Sequence, residues 1–344
     1  MDSQNKLNIN QRRYIGNKSK LMPWISELIF KYTEGTSFFD VFAGTGAVTE
    51  ALINNYDKFY INDFLYSNYK AFNAFFSNST IDTKKIDHYC DLFQNIDSRK
   101  YDDEYFEKEY GDKFFSKNDS VKIGEIRERI ERAKDLNDRE KDILITSLIY
   151  SADRIANTVG HYDAYRKNVQ IADRFKFQLI SPIDTVGKSI HIYREDANEL
   201  VKRIKADIVF LDPPYNSRQY SRFYHVLEQI AKWDKPQLYG VAMKPKAENM
   251  SIYSKNGAAE AFDELVNSIN GKYIVVTYNN TYTNAKSSSS RNKITHEQIL
   301  DSLEKVGSTK VFNKPYKFFN AGNTNLKNHE ETLFITKVAS YEES

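Results

Sequence analysis

Ala206-Asp207-Ile208-Val209-Phe210-Leu211 runs straight into Asp212-Pro213-Pro214-Tyr215. The first six residues are mostly apolar and include β-branched side chains, the pattern of a buried parallel strand. The two prolines lack an N–H and fix φ, so the backbone beyond Asp212 is stiff and cannot pair onward. Their carbonyls remain acceptors, and Tyr215 offers a flat face beside them. A carboxylate and a carbonyl can both accept hydrogen bonds from one exocyclic amine, while an aromatic ring stacks on the base that carries it. A proline turn that merely closes a strand is the plainer reading. The surrounding chain has to decide between them.

Upstream, Ser37-Phe38-Phe39-Asp40-Val41-Phe42 leads into Ala43-Gly44-Thr45-Gly46-Ala47 and the apolar positions Val48, Ala51, Leu52 and Ile53. Strand, glycine turn and helix form the first unit of a nucleotide-binding α/β fold. Gly44 and Gly46 would let a ligand lie against the backbone. Thr49 stands where the third glycine of a pyrophosphate clamp would be, so a cofactor without phosphates suits this turn better. Lys58-Phe59-Tyr60-Ile61-Asn62 reads as a second strand ending in Asp63. An acid there can accept both ribose hydroxyls of a nucleoside cofactor; a solvated or capping Asp is the plain alternative. Ser189–Tyr193 is a further strand, followed by Asp196 at the same edge.

Before the first strand stands Arg12-Arg13-Tyr14-Ile15-Gly16-Asn17-Lys18, then Leu21, Trp24, Ile25, Leu28 and Ile29 at helical spacing. Lys18 falls near the helix start. A cation there is electrostatically misplaced unless an anion faces it; otherwise it is a solvated lysine. Residues 1–11 are polar and expected to be loose.

From about 65 to 185 the strand–helix alternation stops. Asp82–Tyr110 mixes acids and lysines like a solvated face, and Glu125–Lys134 and Arg139–Tyr150 read as two helices. Asn157–Lys167 is polar, aromatic and basic. Arg166 could position phosphate, and Asn157, His161, Tyr162 and Tyr165 could touch base edges; an ordinary loop with a buried tyrosine is the alternative. His161 has no partner at metal-ligand spacing, and no metal is expected. After Asp212 come helices at Phe223–Ala231 and Ala258–Asn267 and a strand at Tyr273–Tyr278. The basic loop Lys286–Lys293 follows, with Arg291 and Lys293 as candidate phosphate contacts; a plain linker is the alternative. Thr295 and Gln298 form a capping box, and Lys310–Phe319 and Thr332–Val338 supply the last strands.

A length of 344 residues suits two domains, or one with a large insertion. Lys+Arg 49 against Asp+Glu 47 leaves a formal charge of +2, so nucleic-acid contact needs a local patch. Aromatic residues make up 14%, almost all Tyr and Phe, enough for a core plus stacking surfaces. A single cysteine, Cys90, excludes an intrachain disulfide framework. With no apolar signal core and no run long enough to span a bilayer, a soluble cytoplasmic protein is expected.

In this order the motifs resemble the adenine-specific DNA methyltransferases of the alpha motif order, the Dam-like family. The closest likeness is to the branch found in restriction-modification systems. The likeness rests on Tyr14–Lys18, Phe42-Ala43-Gly44-Thr45-Gly46, Asp63, Asn157–Tyr165, Asp212–Tyr220 and the Tyr278–Lys293 region. It implies a Rossmann-like α/β methyltransferase fold, with 1–64 and 186–344 as catalytic domain and 65–185 as an inserted, mostly helical target-recognition domain. It also implies S-adenosylmethionine as cofactor and the exocyclic amine of adenine in double-stranded DNA as acceptor. By position, Tyr14, Gly16, Lys18, Asp40, Phe42, Gly44, Gly46, Asp63, Asp196 and Asp212 would meet the cofactor. Asp212, Pro213, Pro214 and Tyr215 would hold the flipped base. The chain is expected to act as a monomer, with a cognate restriction endonuclease in the same system. An RNA adenine methyltransferase and an inactive DNA-binding module are the rival readings.

Overall fold

The computed structural model describes residues 6–14, 16–101, 105–214, 217, 219–279, 293–315 and 330–339. They divide into two units, one built on a sheet and one on helices.

The sheet unit comprises Lys18–Phe64, Gly187–Gln219 and Asn249–Ser344. Its strands are β1 (Ser37–Asp40), β2 (Lys58–Asn62), β3 (Ser189–Tyr193), β4 (Lys205–Leu211), β5 (Asn270–Asn279), β6 (Gly307–Pro315) and β7 (Glu330–Val338). They lie in the order β3-β2-β1-β4-β5-β7-β6. The first five are mutually parallel; β7 runs antiparallel to β5 and to β6. Strand order reverses between β1 and β4, where open α/β sheets leave a crevice outside their carboxyl ends. Asp40 pairs with Ile61 on one side and Phe210 on the other, so Asp212 lies just beyond the end of β1.

Ile208 to Leu211 are all buried, as a central strand covered on both faces requires. Period-two alternation sends Phe39, Tyr60, Val209, Leu211, Ile274 and Val276 into one core with the helices Ala197–Val201, Ala258–Ser268 and His296–Val306. The intervening Phe38, Phe59 and Phe210 cluster separately, with Phe38 5.3 Å from Tyr56 and 6.0 Å from Phe210 between ring centroids. The expected capping box is present: Thr295 Oγ1 accepts from Gln298 N–H, and Gln298 Oε1 from Thr295 N–H. The penultimate strand is earlier than its sequence pattern suggested. It spans Gly307–Pro315, pairing with β7 throughout, and 316–319 lie outside the described residues.

The helical unit comprises Met1–Asn17, Leu65–Val186 and Tyr220–Glu248. Both expected helices exist and are longer than their apolar spacing indicated, Lys117–Arg132 and Asp138–Ile155. Their starts are set by polar caps, Ser116 and Asn137. The charged stretch after Asp82 is solvated on one face only. Its helix Thr83–Gln94 buries Ile86, Cys90 and Phe93. Leu65 provides no side-chain cap for the helix Tyr66–Phe76. The buried carboxylate of Glu228 does so instead, accepting from the N–H groups of Tyr66 (2.9 Å) and Ser67 (2.8 Å).

The expectation of a loose N-terminus is corrected for residues 6–11. Leu7 and Ile9 are buried, and Leu7 exchanges backbone bonds of 2.8 Å with Leu179 and Ser181. The apolar pair is short, and its pairing segment is far away in sequence. Among the described residues no helix is long and apolar enough to cross a membrane.

Asn137 and Glu140 form a complete capping box on the long helix Asp138–Ile155. Asn137→Ala is expected to cost about 1 kcal/mol, read as a lower urea midpoint, while Asn137→Asp holds near the parent value. Equal midpoints for all three chains would contradict the capping role.

Candidate active site

The carboxyl ends of β2, β1 and β4 carry the acids and the glycine turn. After β1 the chain turns tightly: Ala43 N–H donates to the Asn62 carbonyl (2.9 Å) and Gly46 N–H to the Ala43 carbonyl (2.7 Å). Gly44 and Gly46 have φ of 56° and 82°, left-handed values that a Cβ penalises. Asp63, the first residue beyond β2, accepts from Gly44 N–H through Oδ2 at 3.0 Å, tying the two strand ends together.

Asp40 lies beneath this turn, fully buried. Thr49 Oγ1 donates to its Oδ2 at 2.8 Å. Among the described residues its Oδ1 has no hydrogen-bond partner. Burial pushes its pKa up to about 7. The Thr49 hydrogen bond opposes that rise, and the nearby charges of Asp212 and Asp63 add to it. Thr49, read in the sequence only as a missing glycine, thus has a task of its own.

Phe42 is half-buried and meets Tyr253 edge to face, centroids 5.1 Å apart. Asp196 caps the helix Ala197–Val201, its Oδ1 accepting from Asn198 N–H (3.0 Å) and Glu199 N–H (3.3 Å).

Asp212 opens the stiff segment after β4. Lys18 Nζ lies 3.2 Å from Asp212 Oδ1 and 3.0 Å from Glu331 Oε1. The Lys18 and Glu331 side chains are only 5% and 3% exposed, against 15% for Asp212. The sequence question about Lys18 is therefore answered: two anions face it. Burial works against its ammonium, yet the two carboxylates outweigh that cost and its pKa lies above the ordinary lysine value. Pro213 is buried and Pro214 half-buried. Gln219 closes the loop by clamping Ser251, donating through Nε2 to its carbonyl (2.9 Å) and accepting its N–H through Oε1 (2.8 Å). Tyr215 and Arg291 lie outside the described residues. Lys293 is half-buried ahead of the cap Thr295.

In the helical unit Tyr14 is stacked on Tyr224 (4.8 Å, 9°) and Tyr220 (5.4 Å, 21°). The Arg12 guanidinium lies 5.5 Å from the Tyr14 and Tyr224 ring centroids. Gly16 has φ of 83°. The loop after the helix Asp138–Ile155 is split in its orientation. Tyr162 is fully buried, its hydroxyl donating to Asp153 Oδ1 at 2.9 Å. Asn157 spends its amide on the carbonyls of Lys113 and Arg166, each at 2.9 Å. As folded here, neither has a surface to offer a base edge. His161 is half-buried and stacks on Phe223 (4.7 Å, 13°), Tyr165 is half-buried against Phe114, and Arg166 is exposed.

The sequence reading puts Gly44, Gly46, Asp63 and Asp212 at strand ends and Lys18 near a helix start, takes Asp40 from the resemblance alone, and misses Glu331, Thr49 and Gln219. Glu330-Glu331 before an apolar strand looks solvated. The available signal was that Glu331 shares the parity of Leu333 and Ile335, both buried.

Residues 14–282 match the family of D12 class N6 adenine-specific DNA methyltransferases. The chain is 34% identical over 290 residues to the modification methylase StsI of Streptococcus sanguinis, covering 78% of this chain and 44% of that protein. It is 28% identical over 331 residues to the type II methyltransferase M.NlaIII of Neisseria lactamica, covering 92% and 95%. It is 30% identical over 345 residues to the type II methyltransferase M.CviAII of Paramecium bursaria Chlorella virus 1, covering 96% and 99%. It thus spans less than half the length of the first of these relatives and nearly all of the other two.

The raised pKa of Asp40 makes stability pH-dependent with a definite sign. The folded state keeps the proton up to about 7, whereas the unfolded chain releases it near 3.8. The stability this proton contributes is complete below pH 4 and lost as pH rises to 7. Asp40→Asn should therefore gain on the parent across that window, by an amount on the order of 2–4 kcal/mol. Urea midpoints at pH 5 and pH 8 measure it, and parallel pH profiles for the two chains would contradict the assignment.

Proposed function

The chain belongs to the D12 class N6 adenine-specific DNA methyltransferase family, and on that premise we propose a site-specific enzyme that methylates the N6 amine of adenine in double-stranded DNA. S-adenosylmethionine is the proposed methyl donor, and the modification half of a restriction-modification system the proposed setting. The names of the relatives, a modification methylase and type II methyltransferases, support that setting.

One observation carries the reading. Asp212 follows the central strand at the switch point, next to the glycine turn of β1, with a buried ammonium behind it. The residues present fit a nucleoside sulfonium cofactor. Gly44 and Gly46 add no side chains to the turn, Asp40 Oδ1 is a buried polar atom without a hydrogen-bond partner among the described residues, and Asp63 borders the same turn. In the proposal Asp63 accepts the ribose hydroxyls, and Asp196, Phe42, Tyr14, Gly16 and Lys18 complete the set taken from the resemblance. When bound, this cofactor supplies an electrophilic methyl group on sulfur.

The chain's own residues prepare the amine. Adenine inside a duplex is out of reach, so the base is flipped into the pocket. Asp212 and the Pro213 carbonyl accept its two N–H bonds. That draws the nitrogen lone pair out of the ring and makes it nucleophilic. Asp212 would then stabilise the positive charge that develops on nitrogen as it takes the methyl group, the cofactor's sulfonium becoming a neutral thioether and the methylated nitrogen shedding its surplus proton to solvent. Tyr215 stacks on the base, worth about 1–3 kcal/mol by analogy with other base–aromatic contacts. Residues 65–185 serve target recognition, with His161, Tyr165, Arg166, Arg291 and Lys293 as DNA contacts and Asn157 and Tyr162 bracing the loop from inside. The proposed unit is a monomer on DNA, paired in function with a separate endonuclease.

Tritium-labelled S-adenosylmethionine with unmethylated duplex DNA and matched RNA tests this. The parent chain is expected to label DNA only. Asp212→Ala should lose at least about 10³-fold in transfer while its DNA affinity stays within a few-fold. Full labelling by Asp212→Ala, or labelling of RNA in preference to DNA, would contradict the reading.

A further inference from the structure

We propose that Glu331 is a positioning residue of the methyl-transfer site: acting through Lys18, it holds Asp212 in place and keeps the charge that Asp212 presents to the target amine negative. The inference rests on the methyltransferase reading and extends it to a strand that none of the motifs above includes.

Glu331 belongs to β7 and pairs in register with Asn279 at the carboxyl end of β5. Lys18 reaches it from the segment before the helix Met22–Tyr32. Its backbone is anchored there, because Leu21 N–H and Met22 N–H both donate to its carbonyl (2.7 and 3.1 Å). Its ammonium thus arrives from one side and Glu331 from another, meeting Asp212 behind the strand end. Exposure falls from Asp212 to Lys18 to Glu331. Asp212 is the most open of the three and Glu331 the deepest, so Glu331 acts on a substrate only through Lys18.

Charge counting explains why a second acid is needed. Lys18 and Asp212 alone would sum to zero. An ammonium 3.2 Å from the accepting carboxylate would cancel its attraction for the positive charge that develops on the amine. With Glu331 ionised the group sums to −1, and Lys18 is shared. Lys18 then fixes Asp212 Oδ1 without neutralising Asp212. Burial pushes the Glu331 carboxyl up; the Lys18 ammonium pulls it down, and Asp212 adds to the rise. On balance the Glu331 carboxyl lies above the ordinary glutamate value; the Lys18 ammonium 3.0 Å away is what favours its charged form, and Lys18 in turn is held by two carboxylates.

A buried ion pair could also serve stability alone, and the test separates the two roles. Single-turnover methyl transfer to duplex DNA, affinities for S-adenosylmethionine and for DNA, and thermal unfolding are measured on the full chain and its variants. Glu331→Gln keeps the shape and removes the charge. It is expected to slow transfer about 10–100-fold, with both affinities within about twofold by the same argument that Glu331 touches neither ligand. Glu331→Asp should recover part of the rate. In a Lys18→Met background, Glu331→Gln should cost little or nothing further, because the group already lacks the cation that Glu331 offsets.

The proposal is overturned if Glu331→Gln transfers at the parent rate. It is equally overturned if rate, affinities and stability fall together, or if the same loss appears in the Lys18→Met background. A parent chain that transfers no methyl to DNA would sink the methyltransferase reading and this proposal with it. An active parent with an unchanged Glu331→Gln rate sinks the proposal alone.

Discussion

The sheet edge depends on one ammonium buried between two carboxylates. Removing three charges from water is costly, and a close pair regains that cost only with good geometry. Lys18, Asp212 and Glu331 come from the segment before the first helix, the loop after β4 and the start of β7. Any displacement of these three segments breaks one of the two ion pairs. The contact therefore specifies the arrangement of the sheet's ligand-binding edge as much as it stabilises it. It also leaves Asp212, alone of the three, with appreciable exposure, which a group that accepts from an incoming amine requires.

Topology explains why the remaining chemistry collects there. The reversal of strand order between β1 and β4 sets the glycine turn and Asp212 at neighbouring strand ends, with β2 contributing Asp63 from the other side. Three acids at adjacent strand ends repel one another. The sequence meets that cost by protonation and hydrogen bonding: Asp40 has its pKa raised and is held by Thr49, Asp63 is bonded to the turn, and Asp212 is paired with Lys18. The antiparallel β7, inserted between β5 and β6, delivers Glu331 to this edge.

Features with local causes were legible in the chain. Ser189–Tyr193 has the same bounds in the sequence reading as in the structure, and the Thr295 capping box is present with both bonds. The glycine turn and the Asp212 strand end were visible because glycine and proline restrict backbone by themselves. Features set by distant partners were not. Glu331 lies against Lys18, which comes from the far end of the sequence; apart from its parity with Leu333 and Ile335, nothing around Glu331 signals that. Leu7 and Ile9 looked like part of a polar tail because their partners stand near residue 180. Tyr162 sits in a loop whose polar, basic composition suggests a surface, yet Asp153 and the backbone of Phe223 hold it inside. The position of β7 between β5 and β6 is a pairing choice that strand patterns do not encode.

The most direct measurement is the identity of the modified nucleoside. Duplex DNA of mixed sequence is incubated with the purified chain and S-adenosylmethionine, digested, and its nucleosides resolved by mass spectrometry. Adenine methylated at N6, confined on sequencing to one short recognition site, is the predicted result. Methylation on cytosine, or no modified base with an intact, cofactor-binding protein, would contradict the account.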